Sequence, residues 1–184
     1  TRARDFFKEC RKEGILVEEK KPAMYLHEHI YPLGDKTATR RGIIASVRLD
    51  EGEKSDIIPH EYTHKGPKVD RLRLMNEAAA NFSSVFGIYS DQDKLIETQI
   101  KTTLGNPLWE INTPDGQQRL WKIDAPSQIE LITNMMIDKK ILIADGHHRY
   151  ETAKTYRDRQ RALTGLMDGN QPFDYTMMYL CNMD

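Results

Sequence analysis

Cysteine is scarce in this 184-residue chain: Cys10 and Cys181 are its only 2, and they lie near opposite ends. Two such residues do not make a disulfide framework or a cysteine-rich zinc site, and a reducing cytoplasm is the expected compartment. Long apolar runs are also missing. None approaches the ~18 residues of a membrane span, and no signal-peptide pattern opens the chain. Gly42 to Leu49 reads as a strand instead. The net charge of -1 gives no general attraction to nucleic acid or acidic membranes, so recognition of an anion has to be local. Repeats and low-complexity tracts are absent. What remains is an apolar fraction of 39%, enough at this length for a genuine core. Because it starts at Thr1 without a methionine and stops at Asp184 just after a strand-like run, the chain is expected to be a fragment of a longer protein.

The most informative stretch is Ile141 to Ala153, ILIADGHHRYETA. Its opening apolar run does not alternate, which reads as a central strand buried on both faces. Asp145 to Arg149 then emerge from the strand end, where open α/β sheets bind ligands. Gly146 permits the tight turn, and the first amides of the following helix, with His147, His148 and Arg149, can face an anion. That helix leans positive, with Arg149, Lys154, Arg157, Arg159 and Arg161 against Glu151 and Asp158. A structural turn, with Asp145 capping the helix and Arg149 paired to an acid, is the competing reading.

The rest of the chain reads as compact α and β material. A short opening helix stops at Gly14. Met24 to Tyr31 and Ile43 to Leu49 alternate as an antiparallel strand pair around a Pro32 to Arg41 loop. Leu72, Met75, Ala79 and Phe82 recur at helical spacing, with Asp70 as the expected cap and Asn81-Phe82-Ser83 inside the helix. Val85 to Tyr89 is a strand, and Asp91 opens a helix over Ile96, Ile100 and Leu104. Thr113-Pro114-Asp115-Gly116 turns a hairpin. Pro126 starts a helix through Ile129, Ile132 and Met136. Ala153, Tyr156 and Leu163 form the packing face of the last helix. One α+β domain over residues 1–184 is the economical reading.

A second chemical motif is His60-Glu61-Tyr62-Thr63-His64, which matches the zinc-hydrolase pattern H-E-x-x-H. Pro59 before it and Gly66-Pro67 after it leave little room for the helix such a site needs. His60 and Glu61 fit better as functional groups on a polar loop, followed by Lys68 and Arg71, which suit a phosphorylated ligand. Lys68, Arg71 and Arg73 can equally be the wet face of a helix. His27 and His29 share a strand face but have no third metal ligand nearby.

The segments PHEYTH, GPKVDRLRLMNEAAANFSSVFGIY and IADGHHRYETA resemble those of the domain-of-unknown-function 1015 family, over a stretch from about Gly14 to the end. The Asp-Gly-His-His-Arg block is in turn similar to the signature of the ParB/sulfiredoxin superfamily, in which a turn at a helix N-terminus holds nucleotide phosphates. The resemblance implies a ParB/sulfiredoxin-like mixed sheet with flanking helices. Members of that superfamily include a sulfinic-acid reductase, CTP-binding partition proteins and free-serine kinases. Asp145, Gly146, His147, His148 and Arg149 match the D-G-H-x-R form of the serine-kinase-like members, which implies phosphate binding by the turn and by Arg149. His147 stands where sulfiredoxin has its reactive cysteine, which excludes that chemistry, and the Gly-Glu-Arg-Arg form of the partition proteins is absent.

Taken together, these readings lead us to expect a phosphotransferase using Mg²⁺ and ATP or ADP on a small, serine-like hydroxyl metabolite. Glu61 would be the general base, oriented by His60. Asp145 would help hold Mg²⁺, His147 and His148 would donate to phosphate oxygens, and Arg149, Arg71 and Lys68 would neutralise developing charge. A non-catalytic nucleotide-binding regulatory module is the alternative, and a zinc hydrolase through His60, Glu61 and His64 comes third. The leading reading requires the Glu61 loop and the Asp145 turn to meet, although more than eighty residues separate them.

Overall fold

The computed structural model describes residues 2–51, 55–61, 65–102 and 104–184, and the side chains of 65–68 fall outside that description. Along the chain lie α1 (Arg2–Lys12), β1 (Met24–Leu33), β2 (Lys36–Arg48), β3 (Ile57–Ile58), α2 (Lys65–Ala78), β4 (Val85–Tyr89) and α3 (Leu95–Lys101). They are followed by β5 (Trp109–Thr113), β6 (Gly116–Ile123), α4 (Pro126–Met136), β7 (Ile141–Asp145), α5 (His147–Thr164) and β8 (Tyr175–Asn182). The architecture is α+β, with one mixed eight-stranded sheet in the order β3-β7-β4-β8-β2-β1-β6-β5. Pairs β3–β7 and β4–β8 are parallel and the others antiparallel.

Alternation along the strands sets which face is buried. Leu26, Ile43 and Leu180 lie side by side across β1, β2 and β8, and the row continues through Gly87 to Ile143. Ile96 and Ile100 of α3, Ile132 of α4, and Tyr150 and Ala153 of α5 join the same buried cluster. Three helices therefore cover one sheet face. Gly87 is small for a reason, since a Cβ there would come within 2.6 Å of Ile141 Cγ2. Each fully buried aliphatic such as Ile143 contributes about 1.5–3 kcal/mol to folding. On that same face Glu28 is buried and held by Arg41 and Arg119, at 2.6 and 3.3 Å; the two guanidiniums satisfy a carboxylate that would otherwise be costly.

Several expectations hold. Gly14 ends α1 in the left-handed region, φ 72, and the 113–116 hairpin forms between β5 and β6. Others are corrected. β7 is not a central strand buried on both faces: it lies second from the sheet edge, with Ile141 and Ile143 buried but Ala144 and Asp145 exposed. The expected 32–41 loop shrinks to a Gly34-Asp35 turn, because the strand pairing continues from Tyr25↔Ile44 to Leu33↔Lys36. α2 starts at Lys65, which leaves Asp70 mid-helix, and Pro67 in its first turn needs no hydrogen-bond donor there. The helix stops at Ala78 because Ala79 is left-handed, φ 49, so Asn81-Phe82-Ser83 lies on an exposed loop. Leu163 is 79% exposed; Tyr150, Ala153 and Arg157 form the buried face of α5 instead.

Asp50 anchors the segment that leads to β3. Its carboxylate accepts from Ser55 Oγ and, at 3.0 Å, from the Ile57 amide, and Tyr150 Oη donates to it from α5 at 3.2 Å. Burial, and then the Asp50 carboxylate, push the Tyr150 phenol well above its usual range, so it stays a neutral donor. Arg157 reaches the Asp50 carbonyl at 2.8 Å. In this way α5 fixes both its own first turn and the chain entering β3.

Candidate functional site

The short parallel pairing of β3 with β7 builds the site. Ile57 pairs with Ile141 and Ile58 with Leu142, and parallel strands leave a sheet at the same end. Two residues beyond Ile58 comes His60, and β7 runs out into Asp145, Gly146 and His147. β4 is antiparallel to β7, so the loop before Val85 enters at that end as well. Three segments thus meet there: Pro59 to Glu61, Asn81 to Ser84, and Asp145 to Arg149. Phe86 pairs with Asp145 and Gly87 with Ile143, which leaves Ala144 as a bulge that re-aims the end of β7.

His147, only 4% exposed, is the buried centre of the cluster. The His60 amide donates to its Nε2 at 3.3 Å. Because Nε2 accepts, the neutral ring carries its proton on Nδ1, and Nδ1 faces Glu61 Oε2 at 3.6 Å. That separation exceeds a hydrogen bond but lies within ion-pair reach. His60 Nε2 is 3.9 Å from Glu61 Oε1, and the His60 and His147 rings meet edge to face with centroids 4.5 Å apart. Glu61 is 66% exposed. The result is an open carboxylate flanked by one buried and one half-exposed imidazole.

The turn is built tightly. Gly146 adopts φ 96, and a Cβ there would lie 2.8 Å from Arg149 Nε. Arg149 folds back over the turn, donating from Nη1 to the Ser84 carbonyl and from Nη2 to Asp145, both at 2.6 Å. Its Nε and His148 Nδ1 are buried and meet no hydrogen-bond partner among the described residues. No side chain caps α5. The first amide to bond back along the helix is that of Tyr150, to the Gly146 carbonyl at 3.0 Å, so the amides of His147 to Arg149 precede the helical ladder. Arg71, exposed on α2, lines a cleft together with Arg149.

The family model described as Protein of unknown function (DUF1015) matches residues 1–184. The chain belongs to that family. The match includes residues before Gly14, where the resemblance of the motifs began. No curated protein and no solved structure matches the chain.

Within this family member, the expected site residues separate by position. His60, Glu61 and His147 come together, as do Asp145, Gly146 and Arg149, and Arg71 and Arg149 line one cleft. His64 and the side chain of Lys68 lie outside the described residues. His60 and Glu61 lie outside any helix, ahead of α2, and residues 62–64 of the H-E-x-x-H pattern lie outside the described residues. Among the described residues there is no group of three or more His, Cys, Asp or Glu side chains that could hold a metal. His27 is engaged by Tyr179 and Gln118, each at 3.2 Å, and His29 by the Asp115 carbonyl at 3.1 Å. Ser84 contributes a backbone carbonyl, which no side-chain pattern reveals, and Asn81 and Ser83, expected inside a helix, lie on the loop that lines the cleft. Among the described residues, no helix is long and apolar enough to cross a membrane.

Proposed function

We propose that this chain is a nucleotide-dependent phosphotransferase of ParB/sulfiredoxin-like fold, moving phosphate to or from a small, serine-like hydroxyl metabolite. The observation that carries this reading is the meeting of Glu61 with His147, at 3.6 Å, beside the uncapped start of α5. Glu61 is exposed and takes the hydroxyl proton. His147, buried with both ring nitrogens turned to the His60-Glu61 segment, positions that carboxylate rather than meeting phosphate itself. His60 flanks Glu61 on its other side. The first amides of α5 and His148 receive phosphate oxygens, while Arg149, Arg71 and Lys68 neutralise charge.

Mg²⁺ would be held by Asp145 together with phosphate oxygens and waters, as a single carboxylate suits this ion, and it supplies charge neutralisation. A further consequence falls on this chain's own residues: an ion at Asp145 competes with Arg149 for the carboxylate and frees the guanidinium. A nucleotide-binding regulatory module is the second reading, favoured by the closed Asp145–Arg149 pair at 2.6 Å.

The test is titration of the chain with ATP, ADP and CTP, each with Mg²⁺, followed by ³¹P NMR with serine as the hydroxyl acceptor. The expected result is saturable binding of an adenine nucleotide and a new phosphomonoester signal. Binding without transfer selects the regulatory module, and no binding of any of the three nucleotides overturns both readings.

A further inference from the structure

The cleft between α2, the loop before β4 and α5 has a composition that the turn does not explain. Its lining includes Arg71, Asn81, Phe82, Ser83, Arg149 and Thr152, over an apolar floor, with a cavity of about 240 Å³. No acidic residue lines it among the described residues. Arg71 makes no ion pair among those residues, and the Ser83 hydroxyl meets no partner there. Asn81 Oδ1 accepts from Thr176 Oγ1 at 3.4 Å, which orients the amide and leaves its NH₂ as the free donor. Thr152 Oγ1 donates to the His148 carbonyl at 2.6 Å and so serves as wall. Donors thus outnumber acceptors, and two guanidiniums share one small space.

We infer that this cleft is a binding site for a single phosphomonoester group, with Arg71, Asn81 and Ser83 as the recognising residues and Arg149 as the shared wall towards the turn. Arg71 brings a positive charge with no ion pair among the described residues, Arg149 borders the cleft with a guanidinium already paired to Asp145 at 2.6 Å, and donors from at least three side chains suit the three terminal oxygens of a phosphate better than the two of a carboxylate. The size sets a limit. Whole-ligand pockets run from about 300 to 1,000 Å³, so this cleft takes a phosphate head group with its first carbons and not an entire nucleotide. The inference rests on the phosphate-handling reading above and adds where the phosphorylated small molecule, as opposed to the nucleotide, is held.

The test uses inorganic phosphate and acetate as probes, followed by ¹⁵N NMR of the backbone amides and the arginine Nε–H groups of the chain. Phosphate is expected to shift the Asn81 and Ser83 amides and the Arg71 Nε–H saturably. Arg71→Gln should weaken its affinity about tenfold, as expected for loss of a charge-assisted contact, with Ser83→Ala as a second variant on an exposed loop. Equal affinity for acetate, shifts confined to the His147 to Arg149 amides, or affinity unaffected in both Arg71→Gln and Ser83→Ala would each overturn the inference. Phosphate binding retained without nucleotide turnover defeats the phosphotransferase reading and leaves the cleft assignment standing.

Discussion

Glu61→Gln is expected to lower phosphate transfer by about 10²–10⁴-fold, the usual contribution of a positioned general base, with nucleotide affinity little changed. The amide keeps the volume and exposure of the carboxylate but cannot take a proton. It also removes the charge 3.6 Å from His147 Nδ1. Since Glu61 is 66% exposed, the substitution carries little folding penalty, and a chemical-denaturation midpoint close to wild type separates lost chemistry from lost structure. Steady-state kinetics supply the decisive comparison: turnover falls while nucleotide affinity holds. Turnover within about threefold of wild type would remove Glu61 from the chemistry.

Gly146→Ala is expected to cost about 1–3 kcal/mol of stability. Two effects combine. The backbone at φ 96 disfavours any L side chain, and the new Cβ would meet Arg149 Nε at 2.8 Å. Arg149 cannot move aside without giving up the Ser84 carbonyl and Asp145. Urea denaturation measures the loss, and repeating it in an Arg149→Ala background should recover the steric share and leave the backbone share. A loss below about 0.5 kcal/mol, the scale of an ordinary surface substitution, would mean that the turn does not need glycine.

How much of this was legible in the sequence depends on whether the cause was local. The β1–β2 pair, the 113–116 hairpin, α4 and the β7-turn-α5 unit all follow from alternation, helical spacing or turn chemistry within a dozen residues. The boundaries of α2 do not. Ala79 adopts a left-handed conformation that nothing in its residue type announces, and this moved Asn81 and Ser83 from an expected helix onto the loop that lines the cleft. Glu28 alternates as an ordinary strand residue, yet it is buried because Arg41 and Arg119 arrive from neighbouring strands.

The candidate site was half legible. Both of its segments stood out by composition, and the requirement that they meet could be stated. What joins them is β3, only two residues long, too short for any periodicity to show. Its parallel pairing with β7 is a sheet-level fact. The different fates of the adjacent histidines follow from helix geometry: neighbours on a helix point in directions about 100° apart, so His147 is buried while His148 is only half-buried. Arg149 was expected to reach for an anion, and the alternative of pairing with a nearby acid describes its resting position at Asp145.

The central claim is that the His60-Glu61 segment and the first turn of α5 form one site, joined through His147. The protonation pattern of the His147 ring tests this most directly, read from long-range ¹H–¹⁵N correlations at neutral pH. The expected result is a proton on Nδ1, facing Glu61, and a bare Nε2 that accepts from the His60 amide at 3.3 Å. A proton found on Nε2 with Nδ1 bare would contradict it, because the His60 amide would then have no acceptor.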